Sequence, residues 1–126
     1  MANPNIVNVT SILGKTAYIT PANTSANVLL SNAASSGEVL KVNQIVAANV
    51  DGTSAVDCTV TINTAAAGGG TAYPIVSTVS VPADASLIVA DKTTAIYLEE
   101  DKSIVVTSGS ANDLAFTISY EIISSS

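Results

Sequence analysis

The chain contains no histidine, no arginine and no tryptophan, and only one cysteine, one phenylalanine and one methionine in 126 residues. These absences remove the commonest general acid/base, the best bidentate anion clamp and most of the usual metal ligands. With Cys58 alone no intrachain disulfide can form, and with no histidine to activate it a cysteine nucleophile has no partner base. Charged residues make up only 11% of the chain. No apolar run approaches the roughly 20 residues that a membrane-spanning helix needs; the longest, such as Ile45-Val46-Ala47-Ala48, have the length of a strand. These gaps argue against an enzyme, a cofactor-binding protein and a helical membrane protein.

What is present is Ala, Ser, Val, Thr, Ile and Asn, a composition suited to pleated sheet and short polar loops. The length is that of one domain, and the whole chain, residues 1–126, reads as a single β-sandwich. Mean hydropathy is +0.47, which with so few charges predicts a surface that is partly apolar or merely hydroxylated. Such a surface meets other proteins, so a homo-oligomer or a larger assembly is expected. Net charge is −6, and Lys15, Lys41, Lys92 and Lys102 are scattered singly along the sequence. Nucleic-acid binding needs clustered cations and is not expected. The start, Met1-Ala2-Asn3-Pro4-Asn5, has neither a basic nor an apolar stretch of a signal peptide, which places the chain in a cytoplasm or inside something larger that leaves it.

The apolar period is two. Leu114, Phe116, Ile118, Tyr120 and Ile122 share one face of a predicted strand, and Val56, Cys58, Val60 and Ile62 share one face of another. Segment 38–50 breaks the pattern: Leu40, Val42, Val46 and Val50 take one parity, Val39, Ile45 and Ala47 the other. Such a strand is either buried on both faces or carries a bulge near Asn43-Gln44. Further strands are expected at 6–12, 16–20, 26–31, 75–81, 86–90, 95–99 and 103–107, with Pro74 and Pro82 as stops. Breaks are expected at Gly14-Lys15 and at polar or Gly-containing segments about every ten residues, and Asn32 to Ser36 as one helical turn. The fold class expected is all-β, an antiparallel β-sandwich, jelly-roll-like or immunoglobulin-like, with about eight to ten short strands. Residues 1–12 read as an extended arm, with Asn3, Pro4, Asn5, Ile6 and Val7 able to add a strand to a neighbouring subunit, or as an edge strand; 124–126 read as a frayed tail.

Candidate sites are few. Gly68-Gly69-Gly70 lacks the lysine and the helix of a phosphate loop and reads as a flexible hairpin loop or contact tip. Beside it, Tyr73 is the one aromatic expected to be displayed, a possible stacking platform for a glycan. Glu99-Glu100-Asp101 offers three adjacent carboxylates, but in the spacing of a solvated turn rather than of a Ca²⁺ loop. Asp51-Gly52-Thr53 has the form of an aspartic-protease triplet, which is also a common turn. Catalytic, cofactor and metal residues are therefore expected to be absent.

The opening Asn3 to Thr16, the segment Val42 to Gly52 and the closing Leu114 to Ile123 resemble small virion structural proteins of marine tailed phages, cyanophages especially. The resemblance implies a capsid decoration (cement) subunit that binds and stabilises the assembled head. It implies the major capsid protein or other virion proteins as partners, a trimer as the oligomer, and residence in the virion. A tail, baseplate or fibre-attachment subunit, and a lectin-like receptor-binding module using Tyr73 and Gly68 to Gly70, are the alternatives. No catalytic residue or cofactor is carried over.

Overall fold

The computed structural model describes residues 11–94 and 96–124. Nine strands occur among them: β1 (Ser11–Ile19), β2 (Asn27–Asn32), β3 (Glu38–Asn49), β4 (Val56–Asn63), β5 (Ala72–Val81), β6 (Ser86–Ala90), β7 (Ile96–Leu98), β8 (Lys102–Ser108) and β9 (Leu114–Ser124). One 3-10 turn, Lys92–Thr94, separates β6 from β7. All pairings are antiparallel, and they form two sheets. Sheet A runs β1-β9-β3-β6, with β7 also paired to β3; sheet B runs β2-β8-β4-β5. β6 and β7 lie end to end along β3 and together fill one strand position. This strand order is that of a jelly roll, one of the two expected forms of the sandwich.

The core lies between the sheets and is built from alternate residues. Phe116, Ile118 and Leu114 of β9, Ile45, Ala47 and Val42 of β3, and Val60, Cys58, Val106 and Ile104 of sheet B are fully or almost fully buried. The mixed pattern of 38–50 is explained by a bulge: the β3–β9 register shifts between Val42 and Gln44. The extra residue moves Leu40 and Val42 before it, and Ile45 and Ala47 after it, onto the same inner face.

Several expectations are corrected. Gly14-Lys15 is no break: β1 runs through it with unbroken register against β9, because a strand on the rim of a sheet tolerates glycine without losing packing. Residues 11 and 12 belong to that edge strand, whereas Asn3, Pro4, Asn5, Ile6 and Val7 lie outside the described residues. Pro74 does not stop β5, which begins at Ala72; β5 is an edge, where a missing N–H can face solvent. Asn32 to Ser36 is not helical, since Ser35 has φ 59° and Gly37 φ 72°. Ser124 is not frayed, but pairs with Ser11 and Glu38.

Candidate contact surface

Three asparagines at strand ends hold the loops. Asn32, Asn49 and Asn63 are the last residues of β2, β3 and β4, and all three are buried. Asn32 donates to the carbonyls of Glu38 and Leu98 at 3.0 Å each, and its Oδ1 accepts from Ser36 Oγ at 2.6 Å. Asn49 donates to the carbonyls of Ser54 and Val81 at 2.9 Å each and accepts the Asp51 N–H at 2.9 Å. Asn63 donates to the carbonyls of Gly68 (3.1 Å) and Gly70 (3.4 Å), and accepts from the N–H groups of Ala65 (3.0 Å) and Gly70 (2.9 Å). Each side chain thus satisfies backbone groups that a turn would otherwise leave unpaired. In the sequence these residues look like ordinary loop punctuation; only their shared place at the end of a strand sets them apart.

The Asn63 network shapes the glycine loop. Gly68 has φ +82°, and a Cβ there would approach Val28 and Val105 to 3.2 and 3.4 Å. A Cβ on Gly70 would lie 2.3 Å from Thr64 Oγ1 and 3.0 Å from the Ala65 nitrogen. Gly68 therefore supplies a left-handed turn, and Gly70 a close approach, that lay the loop against the outer face of sheet B. Ser31 Oγ and Ser103 Oγ each donate at 2.8 Å to the loop carbonyls of Ala66 and Ala65. Beneath the loop Val105 is buried on the outer side of its sheet, apart from the main core. Tyr73 stands exposed at the start of β5. The glycine loop is pinned at both ends and along its length.

The other sequence candidates serve turns. Asp51 Oδ1 accepts from the Thr53 N–H and Thr53 Oγ1, both at 2.9 Å, and these bonds hold its carboxyl below the usual range. In the Glu99 to Asp101 turn, Glu100 Oε2 accepts the Gly37 N–H at 3.1 Å and Asp101 Oδ1 the Ala66 N–H at 3.4 Å. Cys58 is wholly buried, and desolvation of the thiolate pushes its thiol up to about 11. Among the described residues no group of three or more His, Cys, Asp or Glu is placed to hold a metal ion. Among the described residues no helix is long and apolar enough to cross a membrane.

Sheet A is different on its outer side. Antiparallel pairs share a face, so the register places Gly14, Glu121, Lys41 and Tyr97 in one outer row and Tyr18, Thr117, Val46 and Ile88 in another. Tyr18 is 80% exposed, Ile88 58% and Tyr97 46%. Of the eight large hydrophobic residues left exposed among the described residues, five (Ile12, Leu13, Tyr18, Ile88 and Tyr97) belong to sheet A. Between the rows lies an open depression of about 710 Å³, lined in part by Gly14, Lys15, Thr16, Lys41, Lys92 and Glu121. It forms where the 3-10 turn interrupts the β6–β7 rim beside the β3 bulge, and where Gly14 contributes no side chain. Asn43, the bulged residue, donates to Glu121 Oε1 at 3.4 Å on its floor. Lys41 and Lys92, far apart in sequence, thus border one depression. Lys15 borders it from the edge strand, its pairing with Tyr120, itself paired with Val42, directing its side chain to the inner side of the sheet. Their scatter along the chain gave no sign of this.

No protein-family model and no curated protein matches the chain. Among solved structures it is similar to a chain of Bacillus endospore appendages, a novel family of disulfide-linked pili, at 17% identity and TM-score 0.49, over 99% of this chain and 94% of that one. It is also similar to chains of infectious bursal disease virus. For the Gt strain identity is 7% and TM-score 0.40, over 94% of this chain and 32% of that one. For the Gx strain the values are 10% and 0.37, over 89% and 33%. The chain therefore spans about a third of the length of the viral chains it matches. At these identities and scores the likeness concerns the course of the chain and says nothing of its role.

Proposed function

We propose that the protein is a non-enzymatic structural subunit that works by docking on other proteins, and that its particular role is capsid decoration. In this reading the outer face of sheet A lies on the assembled head of a tailed phage. The observation that carries it is the exposure of Tyr18, Ile88 and Tyr97 on one outer sheet face that also holds an open depression lined in part by Lys41, Lys92 and Glu121. Exposed aromatic and apolar side chains beside a charged depression have the composition of a protein contact rather than of a solvated sheet face. Asp51, Cys58 and the Glu99 to Asp101 run are occupied with turns or buried, which accords with a role without chemistry. The resemblance of the opening, middle and closing segments to phage virion proteins supplies the identity of the partner, a coat lattice. A subunit that binds only the assembled shell stabilises it by mass action, and many copies on one lattice add avidity.

The test is co-sedimentation of the purified chain with empty phage capsids. Saturable binding that falls at least tenfold in the Tyr97→Ser/Ile88→Ser double variant supports the proposal. Absence of binding to any capsid, or binding indifferent to both substitutions, contradicts it. Cryo-EM density confined to the tail would move the subunit there.

A further inference from the structure

The four sheet rims are not alike. β5 carries Pro74, two register shifts against β4, and Thr78 at φ 47° with its N–H turned onto Thr59 Oγ1 at 2.9 Å. β2 is short and is bulged between Val28 and Leu30. The β6–β7 rim is cut by the 3-10 turn. Bulges, proline and brevity are the ordinary devices that keep a rim from pairing with another chain. β1 has none of them: nine residues, no proline, no register shift and a single charge, Lys15. Among the described residues nothing but β9 pairs with it.

We propose that two copies of this chain join through β1, antiparallel and about a two-fold axis at Thr16, making one continuous sheet of the two A sheets. This goes beyond the docking role and does not depend on which larger body the protein joins. The occupant is a second copy because β1 is complementary to itself in this register. Pairs whose numbers sum to 32 place Leu13 opposite the partner's Ile19, Lys15 opposite the partner's Ala17, and Thr16 opposite the partner's Thr16. Apolar and Thr–Thr pairs are favourable cross-strand neighbours, and no like charges meet. Shifting the axis to Lys15 would set two ammonium groups face to face.

Gly14 supplies the second observation. A Cβ there would meet nothing within 4 Å, and its backbone is not left-handed, so neither crowding nor conformation within the subunit calls for glycine. In the proposed register Gly14 lies opposite the partner's Tyr18, the most exposed large hydrophobic among the described residues. The ring of Tyr18 covers the open backbone at Gly14, twice by symmetry, the arrangement by which an aromatic makes good a glycine in a strand. The pairing leaves the outer faces of both A sheets on the same side, so a pair presents two docking faces to one lattice.

Light scattering on the purified chain tests this, together with two variants at the exposed Thr16. The wild type is expected at twice the 12.6 kDa chain mass. Thr16→Lys, which opposes two lysines across the axis, is expected to run at the mass of one chain with an unchanged circular dichroism spectrum. Thr16→Cys is expected to form a disulfide-linked dimer on mild oxidation, since directly opposed antiparallel residues have Cα atoms about 4.5–5.5 Å apart, within disulfide reach. Ile88→Cys, on the same face but far from the axis, stays unlinked. A wild-type monomer or trimer, or a dimer that survives Thr16→Lys while Thr16→Cys fails to link, overturns the pairing. Capsid binding is read separately: if only the pairing fails, the wild type still sediments with capsids and still loses binding in Tyr97→Ser/Ile88→Ser.

Discussion

The outer faces of the two sheets are finished in opposite ways. On sheet B the β4–β5 loop folds back over the sheet, held by Asn63, Ser31 and Ser103, and buries Val105. Its rims are bulged, and β5 holds a proline. On sheet A, by contrast, Tyr18, Ile88 and Tyr97 remain exposed around the lysine-lined depression, and β1 offers a straight, unguarded rim. Both sheets share one core, so this difference is not a matter of fold stability. Sheet B spends a loop, three side-chain anchors and three register shifts on closing its outer face and rims. On sheet A the β6–β7 rim is interrupted and Val39 and Ile123 are buried on the outer face, yet Tyr18, Ile88 and Tyr97 stay exposed and β1 is unguarded. In the proposed docking role, the open side is the one that meets partners.

Four substitutions break or sharpen this contrast. The largest effect lies beneath it: Phe116→Ala removes the biggest fully buried side chain from the core both sheets share, and costs about 3–5 kcal/mol in a denaturant titration. Asn63→Ala next opens the closed side. It strips four backbone partners of their bonds and lowers stability by about 2–3 kcal/mol, with faster amide exchange at 64–71 and no change in β1. Comparable in size is the effect of pH on Cys58. Its thiol is raised by burial from 9.0 to about 11, so the unfolded chain loses its proton first as pH rises. Stability is therefore full below about pH 9 and falls by about 2–3 kcal/mol as pH climbs through 11. Cys58→Ala flattens that part of the profile, which a pH series of urea midpoints on both proteins reads directly. The smallest effect on folding belongs to the open face: Tyr97→Ser/Ile88→Ser shifts stability by less than about 1 kcal/mol while abolishing docking.

How far the sequence revealed all this varied with the physics. Strands facing a single core announce themselves by period two, and Leu114 to Ile118, Val56 to Val60 and the phase change at Asn43-Gln44 were legible for that reason. Rims were not. A residue on an edge strand is exposed on both sides, so β1 shows no alternation, and Gly14-Lys15 looks like a break. Pro74 misleads for the same reason, because only an edge position excuses its missing N–H. The contact face lay further out of reach. Lys41, Lys92 and Glu121 come together only through the pairing of β3 with β9 and the 3-10 turn beyond β6, contacts between residues distant in sequence. Gly68 to Gly70 and Tyr73 were conspicuous in the sequence, yet the loop's glycines serve a tight backbone course over sheet B, on the far side of the molecule from the lysines.

The most direct test of the account is covalent footprinting of the protein free and in its assembled state, read residue by residue. The account predicts protection of Ile88 and Tyr97 on sheet A, with Val28 and Tyr73 on sheet B modified equally in both states. Protection centred on Val28, Tyr73 and the Gly68 to Gly70 loop, with Tyr97 and Ile88 unchanged, would contradict it and make sheet B the side that meets partners.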